Sequence, residues 1–294
     1  MTANQSPSAR TTNVLVIGTD GYVGRHVVDA ARADGHRVVG AVRRPGSTVD
    51  TAVISHAAAF DDLIFGTAFD QIVCLPQLTN NSIDWIIDRI DGPRWIVFSS
   101  AQLAATVAAP GTAAAVAREN LAVSRGAVVL RPTMIFGHGG DQNISRLARI
   151  IAKTKIPVMI GGGGYLVQPV HVDDLLGLVS LHRGSDVEPG VYAAGGAEAI
   201  PARELLIMIT ELLGVRVPPV NIGHRALRLA SKIAPLAGLR PDQILRLTED
   251  KTIDISLTKH TFDWEPMALA HRVEQAVGEA VSSSGSDQPM AQVS

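Results

Sequence analysis

Gly18, Gly21 and Gly24 stand three residues apart, directly after the apolar run Val14 to Ile17. Four apolar residues in a row suit a strand buried on both faces. Each glycine after such a strand has its own steric use. Gly18 allows the sharp turn, Gly21 lets the backbone approach a pyrophosphate with no side chain between, and Gly24 lets the next helix pack close to the sheet. Tyr22 to Arg32 suit that helix, whose N-terminal amides would face the phosphates. Gly18, Thr19, Asp20, Gly21, Tyr22, Val23 and Gly24 therefore read as a dinucleotide phosphate loop, spaced G-x-x-G-x-x-G rather than G-x-G-x-x-G. The competing reading is a merely tight turn; the position between strand and helix favours the loop. Arg43 and Arg44 end the next expected strand, Arg37 to Val42, about twenty residues further on. An acid at this place accepts hydrogen bonds from the ribose 2′-hydroxyl of NAD, whereas an arginine suits a 2′-phosphate. NADP(H) is thus favoured over NAD(H), against the reading of two solvated loop arginines.

Composition excludes several other chemistries. The 294 residues are 46% apolar and carry a formal net charge of −2, so nothing points to nucleic acid or to an anionic membrane. One cysteine, Cys74, excludes an internal disulfide and a cysteine-based metal site, and nine scattered histidines offer no ligand spacing, so no metal is expected. No apolar run reaches the ~20 residues needed to span a bilayer. The polar first residues lack the apolar core of a signal peptide, and a cytoplasmic location is expected. Segments 1–12 and 282–294 read as disordered tails.

The elements that must position the loop alternate along the chain. Strands are expected at 14–17, 37–42, 52–55 (weakly), 72–75, 95–98 and 128–130, and helices at 22–32, 62–69, 83–90 and 112–124. This alternation argues an α/β fold, a doubly wound parallel sheet of the Rossmann kind. From about Phe136 the pattern changes to glycine-rich loops and helices: 144–152, a helix from near Asp173-Asp174, 202–213, 225–236, 243–247, 256–264 and 269–281. A strand near 190–194 returns to the sheet. The expected organisation is a dinucleotide-binding core over 13–135 and a smaller, mostly helical substrate lobe over 136–281.

With these residues in place, the chain resembles an extended or atypical short-chain dehydrogenase/reductase of the NAD-dependent epimerase/dehydratase type. The resemblance runs from Asn13 to about Val277. It rests on G-T-D-G-Y-V-G at 18–24, F-S-S-A at 98–101, L-R-P-T-M-I-F-G at 130–137 and P-V-H-V-D-D-L at 169–175, with weaker support from G-V-Y-A-A-G-G at 190–196 and R-L-T-E-D-K at 246–251. By resemblance, Arg43 holds the adenosine ribose end, Leu75 and Pro76 line the cofactor, Pro132 lies beside the nicotinamide, and Ser100 is the catalytic serine. The bland alternative for Ser100 is a turn or helix cap. Asn143, Tyr165 and Gln168 are the candidate substrate residues, against ordinary loop hydrogen bonding or core packing for each, and His171 reads as structural. The family's dimers imply a homodimer through the helices at 83–90 and 112–124.

One departure cuts into this resemblance. The family uses a Tyr-x-x-x-Lys pair on the helix after the serine, where the lysine charge lowers the tyrosine pKa for proton transfer. Counting back from Glu119, the pair would fall at Gly111 and Ala115. The chain has no tyrosine between Tyr22 and Tyr165 and no lysine before Lys153. Arg118 offers charge but stays protonated. Two functions follow: an NAD(P)-dependent oxidoreductase or epimerase acting by hydride transfer on a small polar alcohol or ketone such as a sugar nucleotide, or a catalytically silent NADP(H)-binding sensor.

Overall fold

A computed structural model describes residues 11–43, 51–54, 57–92, 94–104, 111–183, 185–223, 226 and 248–284. Arg44, the helices expected at 225–236 and 243–247, and most of both tails lie outside the described residues. The chain divides into two units.

The first unit takes the residues up to Arg131 together with Leu176–Tyr192 and His260–Phe262. Its strands are β1 (Asn13–Ile17), β2 (Arg37–Val42), β3 (Thr51–Val53), β4 (Gln71–Cys74), β5 (Trp95–Phe98), β6 (Val128–Pro132) and β7 (Gly190–Ala194), the last two running just past its border. They form one sheet in the order β7-β6-β5-β4-β1-β2-β3. Strands β1 to β6 pair in parallel, with Ile17 opposite both Ala41 and Cys74, and Phe98 opposite Leu130. The helices along this stretch are α1 (Tyr22–Ala33), α2 (Ala57–Gly66), α3 (Asp84–Ile87) and α4 (Thr112–Ser124). The doubly wound parallel sheet expected from the alternation is the fold found.

The runs that build the sheet are apolar because both faces are covered. Leu15, Val16, Val73, Ile96, Val97, Val128, Val129 and Leu130 are fully buried. The helix expected over 83–90 is shorter: a 3-10 turn at Asn81–Ile83 leads into the single α turn of α3. Ile83, Ile86, Ile87 and Ile90 are nevertheless all buried, so the helical spacing reports a buried face and not a continuous helix. The helix expected at 62–69 is α2, five residues earlier at its start.

The second unit takes Pro132–Leu175, Ala193–Lys259 and the residues from Asp263 on. It carries α5 (Ile144–Thr154), the first turn of α6 (Val172–Arg183), α7 (Ala202–Leu212), most of α8 (Ser256–Phe262) and α9 (Leu269–Ser284). Helix α9 extends three residues into the segment read as a disordered tail, and at the other end Thr12 already accepts a hydrogen bond from the Arg37 amide at 3.0 Å. Its core joins Phe136, Ile144, Ala148 and Ile151 to Leu205, Ile209, Val273, Ala276 and Val277. Two-stranded pairings that the sequence does not announce brace the loops: 135–136 with 170–171, 166–167 with 200–201, and 158–160 with 220–222. Among the described residues no helix is long and apolar enough to cross a membrane.

Candidate functional site

The strand order reverses at β1, which has β4 on one side and β2 on the other. In open α/β sheets the crevice outside the carboxyl ends of the strands at such a point is where ligands bind. Gly18 leaves β1 with φ +93°, and its amide donates to Ala41 of β2 at 2.8 Å. A Cβ at Gly18 would touch Leu75 and Pro76, the residues that follow β4, at 3.4 Å. The loop and the β4 exit therefore lie within van der Waals reach of each other.

Three observations bear on whether these residues fit a dinucleotide. A Cβ on Gly24 would come within 2.3 Å of the Gly18 carbonyl oxygen and 2.9 Å of Thr19 Cα, so only glycine permits this approach of α1 to the loop. The α1 N-terminus, capped by Gly21, has no side-chain cap hydrogen bond, and a helix N-terminus of this kind is where phosphate oxygens bind. Thr19 is fully buried, and its Oγ1 has no hydrogen-bond partner among the described residues. Tyr22 and Val23 form the half-buried first turn of α1, and Asp20 is exposed. Arg43 is exposed immediately after β2.

Ser100 is placed less favourably. Its Oγ accepts a hydrogen bond from the Gln102 amide at 3.2 Å, and its carbonyl accepts one from Leu103 at 3.1 Å. The hydroxyl is thus engaged as the cap of the short turn Ala101–Ala104. Its neighbour Ser99 enters a network that the sequence reading missed. Ser99 Oγ donates to Glu119 Oε1 at 2.5 Å, and Arg131 holds the same carboxylate with Nε at 2.9 Å and Nη2 at 2.5 Å. Glu119 is fully buried and raises the Arg131 guanidinium pKa, chiefly through the hydrogen bond. This pair ties α4 to the ends of β5 and β6. Its signal was available: Glu119 shares the buried stripe of α4 with Ala115 and Ala122, where a carboxylate demands a partner.

On α4 itself, the position counted for the family's lysine is Ala115, fully buried, and that for the tyrosine is Gly111, at φ +85°. Arg118 is committed to the α3 side: it pairs with Asp84 and donates to the Leu78 carbonyl at 2.8 Å and to Asn81 at 2.9 Å. Its hydrogen bond holds the Asp84 carboxyl below the usual range.

The second unit positions the candidate substrate residues. Pro132 opens it, buried at the end of β6. Gln168 is 6% exposed, donates Nε2 to the Gly196 carbonyl at 2.9 Å and accepts the Ile253 amide on Oε1 at 2.9 Å. Its amide is consumed in joining three loops, which favours the bland reading. Asn143 is exposed at the start of α5, with Nδ2 on the Ile135 carbonyl at 2.7 Å. Tyr165 is half-buried, its phenol pKa raised by burial, and Lys251 Nζ stands 5.6 Å from its ring centroid.

His171 is buried and accepts the Asp173 amide on Nδ1 at 3.2 Å, the structural role expected of it. Around it His138 meets Asp173 at 2.6 Å, while Arg272 of α9 bonds Asp173 at 3.1 Å and Asp174 at 2.7 Å. Burial works to raise the Asp173 pKa, but the hydrogen bond from His138 and the nearby charges hold it low. Burial raises that of Asp174 in spite of Arg272. Among the described residues no cluster of histidine, cysteine and acidic side chains could hold a metal.

Comparison with known proteins agrees with this geometry. Residues 14–125 match the model of the NAD dependent epimerase/dehydratase family. No curated protein matches the chain by sequence. Among solved structures, MoeE5 in complex with UDP-glucose and NAD is 19% identical, with 92% of this chain and 99% of that one covered at a TM-score of 0.70. UDP-glucose 4-epimerase from Thermotoga maritima is 16% identical over 92% and 99% of the two chains, with a TM-score of 0.70. The dTDP-glucose 4,6-dehydratase of Bacillus anthracis, in complex with NAD, is 14% identical over 94% and 98%, with a TM-score of 0.72. At these identities the likeness is one of fold. The chain shares the fold of these proteins, and its residues 14–125 carry the pattern of the NAD dependent epimerase/dehydratase family.

Proposed function

We propose that this protein binds a nicotinamide dinucleotide on the Gly18–Gly24 loop and acts by hydride transfer on a polar alcohol or ketone, in the sugar-nucleotide class. The observation that carries the reading is the clearance at Gly24, where a Cβ would sit 2.3 Å from the Gly18 oxygen. That packing brings α1 up to the loop, and the family match over the same residues gives it a purpose. Solved relatives in fold were crystallised with UDP-glucose and with NAD, which supports the substrate and cofactor classes. When bound, the nicotinamide supplies hydride transfer.

The chain's own residues would bind and orient. The α1 amides and Gly21 face the pyrophosphate, Leu75 and Pro76 support the cofactor beside Gly18, and Arg43 selects the 2′-phosphate of NADP(H). The residues 136–281 form the substrate lobe, with Asn143 and Tyr165 as its polar contacts; Gln168 serves as a loop strut. Proton transfer does not run through a Tyr-x-x-x-Lys pair. A second reading, a silent NADP(H) sensor, draws on the same observation: fully buried Ala115 stands where the lysine is expected.

Titration with NADPH, NADP, NADH and NAD, followed by calorimetry, tests the binding. The expected result is binding with preference for the phosphorylated pair, weakened selectively by Arg43→Ala; binding of none defeats both readings. Incubation with NADP or NAD and UDP-sugars then separates them, since turnover supports the enzyme and binding without turnover the sensor.

A further inference from the structure

At the opposite end of the sheet from the glycine loop, the first unit holds a cavity of about 390 Å3. Asp70 and Arg94, which stand immediately before β4 and β5, line it together with His182, Arg183 and the loop residues Asp186 and Glu188. A buried polar network forms its wall. Gln71 is fully buried at the first position of β4, donating Nε2 to the Val179 carbonyl at 2.8 Å and meeting His182 Nδ1 at 3.3 Å. With its nitrogen so placed, Gln71 must present Oε1 to Arg183 Nε, 2.9 Å away. Arg183 is therefore pinned by a neutral amide.

The Arg183 side chain is only 9% exposed, and its ion pair among the described residues is with Asp34, at 3.8 Å too long for a hydrogen bond. Burial lowers its pKa and pushes that of His182 down to about 4, so His182 is neutral at pH 7 and contributes no charge to the wall. Arg94, 69% exposed, reaches Asp70 only at 3.7 Å, while Asp70 already accepts the Asn13 amide at 2.8 Å. A buried cation with no hydrogen-bonded anion is costly unless something completes it. Asp186 and Glu188, both exposed, line the same cavity. A simple anion would satisfy the arginines but face these acids. A molecule bearing both charges would satisfy both.

We propose that this cavity is a binding site for a small zwitterion of the free amino-acid class, its carboxylate on Arg183 and Arg94 and its ammonium toward Asp186 and Glu188. The site is separate from the dinucleotide loop and does not depend on the function proposed above.

Calorimetric titration of the full-length protein with each of the twenty free L-amino acids, and with acetate and methylamine as half-ligands, tests it. At least one amino acid should bind, and neither half-ligand should bind within about tenfold of it. Arg183→Gln should weaken binding at least about tenfold, and the exposed substitutions Arg94→Gln and Asp186→Asn with Glu188→Gln should each weaken it in a protein that folds normally. Binding of no amino acid, equal binding of acetate, or affinity indifferent to the exposed variants would overturn the proposal.

Discussion

A side chain at Gly24 has nowhere to go, because what it meets is backbone and not the movable end of another side chain. Gly24→Val should therefore displace α1 from the loop and abolish dinucleotide binding, read by the loss of NADPH-dependent calorimetric heat. Glu119 poses a different problem. Replacing its buried carboxylate by Gln leaves Arg131, 20% exposed, short of its charge partner, and the expected loss in unfolding free energy is about 3 kcal/mol, measured by urea denaturation. His182 predicts a pH dependence. Its folded pKa, about 4, lies below the unfolded value of 6.5, so above pH 6.5 both states are neutral and the group has no effect. As pH falls from 6.5 toward 4 the unfolded chain takes up a proton that the native one refuses, and stability drops by up to about 3 kcal/mol. Thermal unfolding across this window should show the fall, and His182→Gln should flatten it.

Elements were legible where burial covers a whole strand or a whole helix face. Val14 to Ile17 and Trp95 to Phe98 are uniformly apolar because the sheet hides both faces, and α4 kept its expected limits. The two- and three-residue strands of the second unit were not legible, since so short a run carries no period to read. The glycine loop was legible because its spacing has a steric reason. The Ser99–Glu119–Arg131 network was legible only by half: a carboxylate on the buried stripe of α4 announces that it needs a partner, but which partners it finds depends on three elements that only the fold brings together. Helix α9 places Val273, Ala276 and Val277 in the core of the second unit beside fully buried Ile151 of α5. Ile151→Ala should cost about 2 to 5 kcal/mol, seen as a lower midpoint in denaturant.

For the molecule as a whole, the proposed cofactor becomes a reporter of folding. A ligand that binds only the native state adds about 2.7 kcal/mol at a concentration 100 times its Kd. Thermal midpoints should rise with NADPH concentration, more than with NADH, and Gly24→Val should remove the rise. The sheet gives this reading its geography, with the glycine loop at one end of the strands and the Gln71–Arg183 network at the other.

The packing of α4 also decides whether a tyrosine–lysine pair could be built into it. A tyrosine at Gly111 would be a bulky residue at φ +85°, at a cost of about 1 to 2 kcal/mol. A lysine at Ala115 would enter a site with no solvent access, beside a carboxylate that Arg131 already occupies. Two point mutations therefore do not install a Tyr-x-x-x-Lys pair on this helix without strain and a buried charge. Each substitution should lower stability on its own, so an acid and base for this chain have to come from residues outside α4.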